Sequence, residues 1–149
     1  MAKYINAEFM VKSGSVTGAY NSRAILGIPS LLIERGCQGV WNQQQVDDYI
    51  FDVCNVMKYL GIMDGQPVLP SVPATEMTNV IYLDSDTTGM WHPLVDIKEK
   101  ICAGQKIGYI TDIFGNTIRE YFAQFDSTVL YIATSLAITE GTAIITYGN

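Results

Sequence analysis

The hydrophobic pattern of this chain changes once, and that change limits the folds open to it. Before residue 62 the sequence alternates turns, a short apolar run and one long helical pattern. After residue 76 it holds short stretches rich in β-branched and aromatic residues, separated by turn residues. The segment between them, "IMDGQPVLPSVPATE", has three of the five prolines and predicts a linker or an extended arm. We therefore expect two domains, 1–66 and 67–149.

The clearest helix lies in "NQQQVDDYIFDVCNVMKYLG", residues 42–61. Asn42 can cap its start while Gln45 reaches back, and Gly61 can end it. The apolar residues recur at spacings of three and four, which places them on one face that we expect to be buried. These residues are Val46, Ile50, Val53, Met57 and Leu60.

Two shorter elements precede this helix. The run "GAYNSRAILGI" predicts a short helix closed by Gly27, and "IPSLLIE", residues 28–34, predicts a buried strand that ends on Glu34. One strand and two helices would leave every sheet edge unpaired. The first domain is therefore expected to be a fragment of an α/β domain, not a whole one.

The second half contains a weak internal repeat. "ICAGQKIGYI" from Ile101 matches "ITEGTAIITY" from Ile138 in its Ile, Gly and Ile positions. Each copy places a glycine turn between two apolar strands. The repeat predicts an all-β barrel or sandwich of paired hairpins related by an approximate twofold axis.

Composition and charge exclude several kinds of partner. The net charge is −6 and the basic residues are scattered, so neither nucleic acid nor an anionic membrane surface is expected to bind. No apolar run approaches the roughly 18 residues of a membrane span, and "MAKYINAEFM" lacks the features of a signal peptide. Cys37, Cys54 and Cys102 form no CxxC pair, which favours idle thiols in a reducing cytoplasm. Together with His92 they have no recognisable zinc-ligand spacing.

Two blocks of the sequence resemble one enzyme family. "GIPSLLIERGCQGVWNQQQVDDYIFDVCNVMKYLGIMDG" is similar to the C-terminal part of the catalytic domain in the succinylglutamate desuccinylase/aspartoacylase family. "TGMWHPLVDIKEKICAGQKIGYITDIFGNTIREYFAQFDSTVLYI" is similar to that family's C-terminal β domain, although Ser127 replaces a common glycine. The resemblance implies a strand and helix of a zinc-carboxypeptidase-like domain, followed by a β barrel or sandwich like the lipoyl/biotinyl hairpin barrel.

The resemblance places Glu34 at the position of the family's catalytic general base. In such hydrolases zinc activates a water and polarises the amide carbonyl, while a carboxylate takes the proton of the water. The family's zinc ligands, a His-x-x-Glu pair and a later His, precede the matched region. Zinc is therefore expected in the complete enzyme and none in this chain. Without the resemblance, Glu34 is better explained as a solvated residue at the end of a strand.

Neighbouring residues suggest no further site. Arg35 can pair with an acidic substrate, but it should point away from Glu34, and we expect a surface role. Tyr20 is expected to be a packed aromatic residue. Trp41 and Trp91 are expected to be anchors in the core or in an interface. The residues that bind substrate stay unassigned.

The resemblance implies the C-terminal part of a zinc-dependent deacylase that hydrolyses an N-acyl amino acid or a similar small amide. Its partner would be the N-terminal metal-binding half of the same enzyme, without which it should be inactive. The oligomeric state is left open, with a homo-oligomer allowed. The alternative is a non-enzymatic binding or assembly module built on a carrier-like β barrel. The hairpin "TDIFGNTI" that corresponds to the carrier hairpin has no lysine for cofactor attachment.

Overall fold

The computed structural model describes residues 1–12 and 25–149. The chain divides into two compact units, Met1–Glu76 and Met77–Asn149. None of the helices in the described ranges is long and apolar enough to cross a membrane.

The predicted helix is present in the first unit as α1, Gln43–Tyr59. The Asn42 side chain accepts a hydrogen bond from the Gln45 backbone at 2.9 Å, and the Gln45 side chain accepts one from the Asn42 backbone at 3.2 Å. This reciprocal pair is the predicted capping box. The helix is followed by Gly61, whose φ of 72° suits the left-handed conformation that ends a helix.

Short elements accompany α1 in this part of the chain. A 3₁₀ turn spans Ala2–Tyr4, and its Tyr4 ring packs on the Tyr59 ring with centroids 4.6 Å apart. Strands β1, Phe9–Val11, and β2, Thr75–Met77, form a two-stranded sheet. The predicted short helix before Gly27 lies mostly outside the described residues.

The prediction of a buried strand at 28–34 is wrong. These residues form no regular secondary structure and pair with no strand among the residues that the structure describes, and Leu32 is 57% exposed. A strand needs a hydrogen-bonded neighbour, and a buried strand needs cover on both faces. The apolar sequence signalled such a strand, but within residues 1–12 and 25–76 there is neither the neighbour nor the cover on both faces.

The face of α1 that we expected to be buried is also largely exposed. Ile50 is 57% exposed, and Val46, Val53 and Leu60 are likewise open to solvent. The fully buried positions of α1 are instead polar, Asp52 and Asn55. The amphipathic pattern marks a face that has to be covered, and the described part of this unit does not cover it.

The second unit consists of two four-stranded antiparallel sheets whose inner faces share one apolar core. One sheet has the strand order β3-β10-β8-β5 and the other β7-β6-β4-β9. Both sheets keep free edges, so no closed barrel forms and the lipoyl-like barrel is not confirmed. The strands are β3 Val80–Asp84, β4 Gly89–Pro93, β5 Lys100–Ile101, β6 Lys106–Thr111, β7 Thr117–Phe122, β8 Ser127–Ile132, β9 Ala137–Ile138 and β10 Ala143–Gly148.

The two sheets have equivalent topologies. Read from the opposite edge, the second sheet is β9-β4-β6-β7, which matches β5-β8-β10-β3 strand for strand. Strands β5 and β6 hold the first copy of the sequence repeat, and β9 and β10 hold the second. The predicted internal repeat is therefore present in equivalent places, but each copy crosses from one sheet to the other and does not form the predicted hairpin.

Hydrogen bonds at the repeat turns agree with this equivalence. The backbone N–H of Gly104 donates to Ala123 at 2.8 Å, and that of Gly141 donates to Ser85 at 2.8 Å. The acceptors follow β7 and β3, the two matching edge strands. Both glycines adopt the left-handed conformation, with φ of 79° and 82°.

Trp91 anchors the core of the second unit, as predicted. Its ring meets the Tyr121 ring edge-on, with centroids 5.8 Å apart. Its six-membered ring lies against Gly108, where a Cβ would come within 2.1 Å of it, so this contact requires glycine. Trp41, in contrast, is 70% exposed.

Candidate functional site around Glu34

Glu34 lies at the end of segment 28–34, immediately before a tight turn. Gly36 and Gly39 adopt positive φ values of 78° and 68°, and the Val40 N–H donates to the Cys37 carbonyl at 3.0 Å. A Cβ at Gly36 would lie 3.0 Å from the Gln45 side chain and 3.1 Å from the Val40 carbonyl. Glycine therefore lets the chain turn close against the start of α1.

Both neighbours of Glu34 are attached to other parts of the first unit. The Tyr49 hydroxyl of α1 donates to the Ile33 carbonyl at 3.3 Å. Arg35 forms an ion pair with Asp52 of α1 and donates to the Asn6 carbonyl at 3.0 Å. The Glu34 side chain is itself exposed and, within residues 1–12 and 25–149, has no hydrogen bond or ion pair. The backbone around the carboxylate is thus held while the carboxylate stays available.

The surface role predicted for Arg35 is wrong. Its side chain is 17% exposed and Asp52 is fully enclosed. The guanidinium also lies over the Tyr49 ring, 5.5 Å from the centroid. The guanidinium binds the buried carboxylate of Asp52 and not solvent, whereas Glu34 is exposed. Arg35 is therefore a structural anchor beside Glu34.

Two polar residues of α1 hold the site together, and sequence reasoning missed both. Asp52 accepts from the Asn6 N–H at 3.0 Å as well as from Arg35. Asn55 donates to the Tyr4 carbonyl at 2.7 Å, and its amide exchanges two hydrogen bonds with the Val68 backbone at 2.6 and 2.7 Å. The sequence did contain a signal for them. Asp52 and Asn55 are polar, lie three positions apart on the helix, and do not belong to its apolar face.

An apolar cavity of about 230 Å³ lies between segment 28–33 and α1. Its wall includes alternate residues of that segment and three residues of the helix. The lining residues are Met1, Pro29, Leu31, Ile33, Val53, Val56 and Met57.

The remaining sequence candidates do not join this site. Within the described ranges, no three His, Cys, Asp or Glu side chains lie close enough to hold a metal ion. His92 belongs to the second unit, where its Nε2 lies 3.1 Å from the Thr111 hydroxyl and its ring stacks on Tyr109. All three cysteines are free thiols. Tyr20 lies outside the described residues.

Solved structures share this fold. A succinylglutamate desuccinylase/aspartoacylase from Rhodobacter sphaeroides matches 87% of this chain with 22% identity and a TM-score of 0.70. The ectoine utilization protein EutE (DoeB) from Ruegeria pomeroyi, in its apo form, matches 98% with 19% identity and a TM-score of 0.78. A succinylglutamate desuccinylase from Silicibacter sp. TM1040 matches 98% with 19% identity and a TM-score of 0.74.

The match covers only 43%, 48% and 47% of those three chains. No protein-family model matches the sequence, and no curated protein matches it. This chain therefore has the fold of one portion of the succinylglutamate desuccinylase/aspartoacylase proteins, over a length that fits their C-terminal portion.

Proposed function

We propose that this chain is the C-terminal part of a zinc-dependent deacylase that hydrolyses the amide bond of an N-acyl amino acid or a similar small amide. The support is the shared fold with two proteins described as succinylglutamate desuccinylases, one of them also as an aspartoacylase. Domain 1–66 would complete the catalytic α/β domain, and domain 67–149 would be its β domain.

The observation that carries the proposal is the state of Glu34. A general base has to be free to accept a proton, yet its position has to be fixed relative to the substrate. The Glu34 carboxylate is exposed and has no partner in the described part of the chain, while Ile33 and Arg35 are both tied down. Glu34 would take a proton from the attacking water and pass it to the leaving amine.

The residues that the structure describes do not fit a zinc site. No group of His, Cys, Asp and Glu in the described ranges could hold the ion. A zinc ion would have to be held by ligands from the N-terminal metal-binding half. We expect the isolated chain to lack amidase activity.

The proposal includes a cytoplasmic location and no binding to nucleic acid or membrane. Three free thiols suit a reducing compartment, and a net charge of −6 repels polyanions. The residues that bind substrate stay unassigned, and a homo-oligomer is allowed.

One observation favours the alternative of a non-enzymatic binding or assembly module. At the β6–β7 hairpin tip, Ile113 and Phe114 are 77% and 83% exposed. The Asp112 carboxylate fixes this tip by accepting from the Phe114 and Asn116 backbones at 2.8 and 2.9 Å. A rigid turn with an exposed aromatic residue suits contact with another protein.

A chimera tests the proposed activity. This chain would replace the matching portion of the Rhodobacter sphaeroides protein, and the release of free amino acid from N-acetyl and N-succinyl amino acids would be measured. The proposal predicts turnover of at least one of these amides that depends on added zinc. A folded, zinc-loaded chimera that hydrolyses none of them would contradict it.

A further inference from the structure

Tyr49 of α1 contacts both residues that flank Glu34. Its hydroxyl donates a hydrogen bond to the Ile33 carbonyl at 3.3 Å. The Arg35 guanidinium lies over its ring, with the guanidinium carbon 5.5 Å from the ring centroid. Glu34 itself is exposed, whereas its two neighbours and Tyr49 are partly buried. One side chain therefore holds the chain on both sides of the proposed base.

Tyr49 is the central member of a polar stripe on α1. Gln45, Tyr49 and Asp52 are separated by four and three positions, which places them on one side of the helix. All three contact residues 33–36. The Gln45 side chain lies beside Gly36, and Asp52 forms the ion pair with the arginine of that segment. The segment with the proposed base therefore rests on this stripe.

The backbone that leads to Glu34 depends on the helix for its position. Within residues 1–12 and 25–149, segment 28–35 makes no backbone–backbone hydrogen bond. The hydrogen bond from Tyr49 thus attaches a backbone that no sheet holds. On the other side of the base, Arg35 has an ion pair and a hydrogen bond to the Asn6 carbonyl in addition to the Tyr49 ring. Loss of the Tyr49 hydroxyl should therefore free the side before Glu34 while the side after it stays attached.

We propose that Tyr49 is a positioning residue for Glu34, which acts through the two neighbours of the base and does not touch the substrate. This inference rests on the proposed function, since it takes Glu34 to be the general base. A catalytic group has to be held within about 0.5 Å of its working position, and a displacement of about 1 Å can cost on the order of 100-fold in rate. Tyr49 limits the movement of the Glu34 backbone and leaves the carboxylate available.

A role for Tyr49 in packing alone makes a different prediction. Phenylalanine keeps the ring against Arg35 and removes only the hydroxyl, whereas leucine removes both contacts. Positioning predicts a graded loss of turnover, with tyrosine above phenylalanine and phenylalanine above leucine, at constant substrate affinity. Packing alone predicts full turnover for phenylalanine, because the ring and nearly all of the volume are kept.

The kinetic test uses the zinc-loaded chimera with Tyr49→Phe and Tyr49→Leu. We expect kcat to fall about three- to tenfold for Tyr49→Phe and about 30-fold or more for Tyr49→Leu, with KM and zinc content unchanged. The matched control is Tyr59→Phe, which removes the hydroxyl from a ring that packs on Tyr4 at the end of the same helix and should keep full kcat. An unchanged kcat in Tyr49→Phe would overturn the proposal. A rise in KM alone would also overturn it, because it would assign Tyr49 to substrate binding.

A second measurement needs no activity and uses this chain by itself. Backbone nitrogen relaxation in NMR reports the order parameter of the Glu34 amide, which is about 0.85 in a rigid backbone. We expect that value in the unchanged chain and in Tyr59→Phe, and a lower one in Tyr49→Phe. Equal order parameters in the two variants would overturn the proposal. A folded, zinc-loaded chimera without activity would contradict the proposed function, and the Glu34 order parameter would then decide by itself whether Tyr49 fixes this residue.

Discussion

Arg35 forms an ion pair with Asp52 in the interior of the first unit, next to the exposed carboxylate of Glu34. Asp52 also accepts from the Asn6 backbone, so one helix residue joins the N-terminal segment to the segment that ends at Glu34. The pair therefore fixes the backbone on which the proposed base is placed.

We predict that Asp52→Ala strongly destabilises the first unit. Removing one partner of a buried pair leaves the other charge uncompensated, which costs about 3–5 kcal/mol. Urea unfolding, followed by the fluorescence of Tyr49 or Trp41, would measure the change in the free energy of unfolding. The control is Glu120→Ala, which breaks the exposed Lys106–Glu120 pair and should cost less than about 1 kcal/mol. Equal costs for the two variants would contradict the anchoring role.

The repeat predicts that alanine substitutions at Gly104 and Gly141 reduce stability by similar amounts. Both have a left-handed φ, and nothing lies within 4 Å of an added Cβ at either position. Alanine at either glycine should cost about 1–2 kcal/mol, because the conformation disfavours a Cβ. Thermal unfolding of the two variants would show similar shifts. A shift at one glycine and none at the other would argue against equivalent turns.

A different mechanism applies to Gly108→Ala. Here the added Cβ would lie 2.1 Å from the Trp91 ring, so the core has to rearrange. We expect a loss of about 1–3 kcal/mol or more, together with a change in Trp91 fluorescence. Gly104→Ala is the control, since it should leave the Trp91 emission unchanged. An unaltered Trp91 signal in Gly108→Ala would show that the ring does not depend on this glycine.

Two buried tyrosines predict a loss of stability at alkaline pH. Burial raises the pKa of Tyr121 and of Tyr147 above the ordinary value of 10.0. Below that value both hydroxyls are neutral whether the chain is folded or unfolded. Above it the unfolded chain ionises first, so stability should fall as pH rises through and beyond 10. Tm measured across this range should fall less steeply for Tyr147→Phe, and an unchanged slope would contradict the assignment.

Local signals in the sequence predicted α1 with its cap and the repeated glycine turns. Asn42, Gln45 and Gly61 act within a few residues, and Gly104 and Gly141 lie in turns between strands that are consecutive in sequence. Predictions that needed distant partners failed. Segment 28–34 was expected to be a buried strand, but its pairing depends on strands that the described chain does not provide.

The site itself was only partly predictable. The resemblance assigned Glu34, and the alternation rule directed Arg35 to the opposite side. The sequence did not show that Asp52, 17 residues later, would receive that guanidinium in the interior. Burial of a polar helix position depends on which segments cross it, and here the segments at Asn6 and Arg35 both precede α1 in the sequence.

Glu34→Gln in the zinc-loaded chimera tests the central claim most directly. Glutamine has nearly the same shape but cannot take a proton, so zinc content and substrate affinity should be kept while kcat falls at least 100-fold, as expected for loss of a general base. The control Glu140→Gln makes the same charge change at an exposed residue of the second unit and should keep full turnover. If Glu34→Gln retains near-normal kcat with zinc bound, Glu34 is not the base and the account is contradicted.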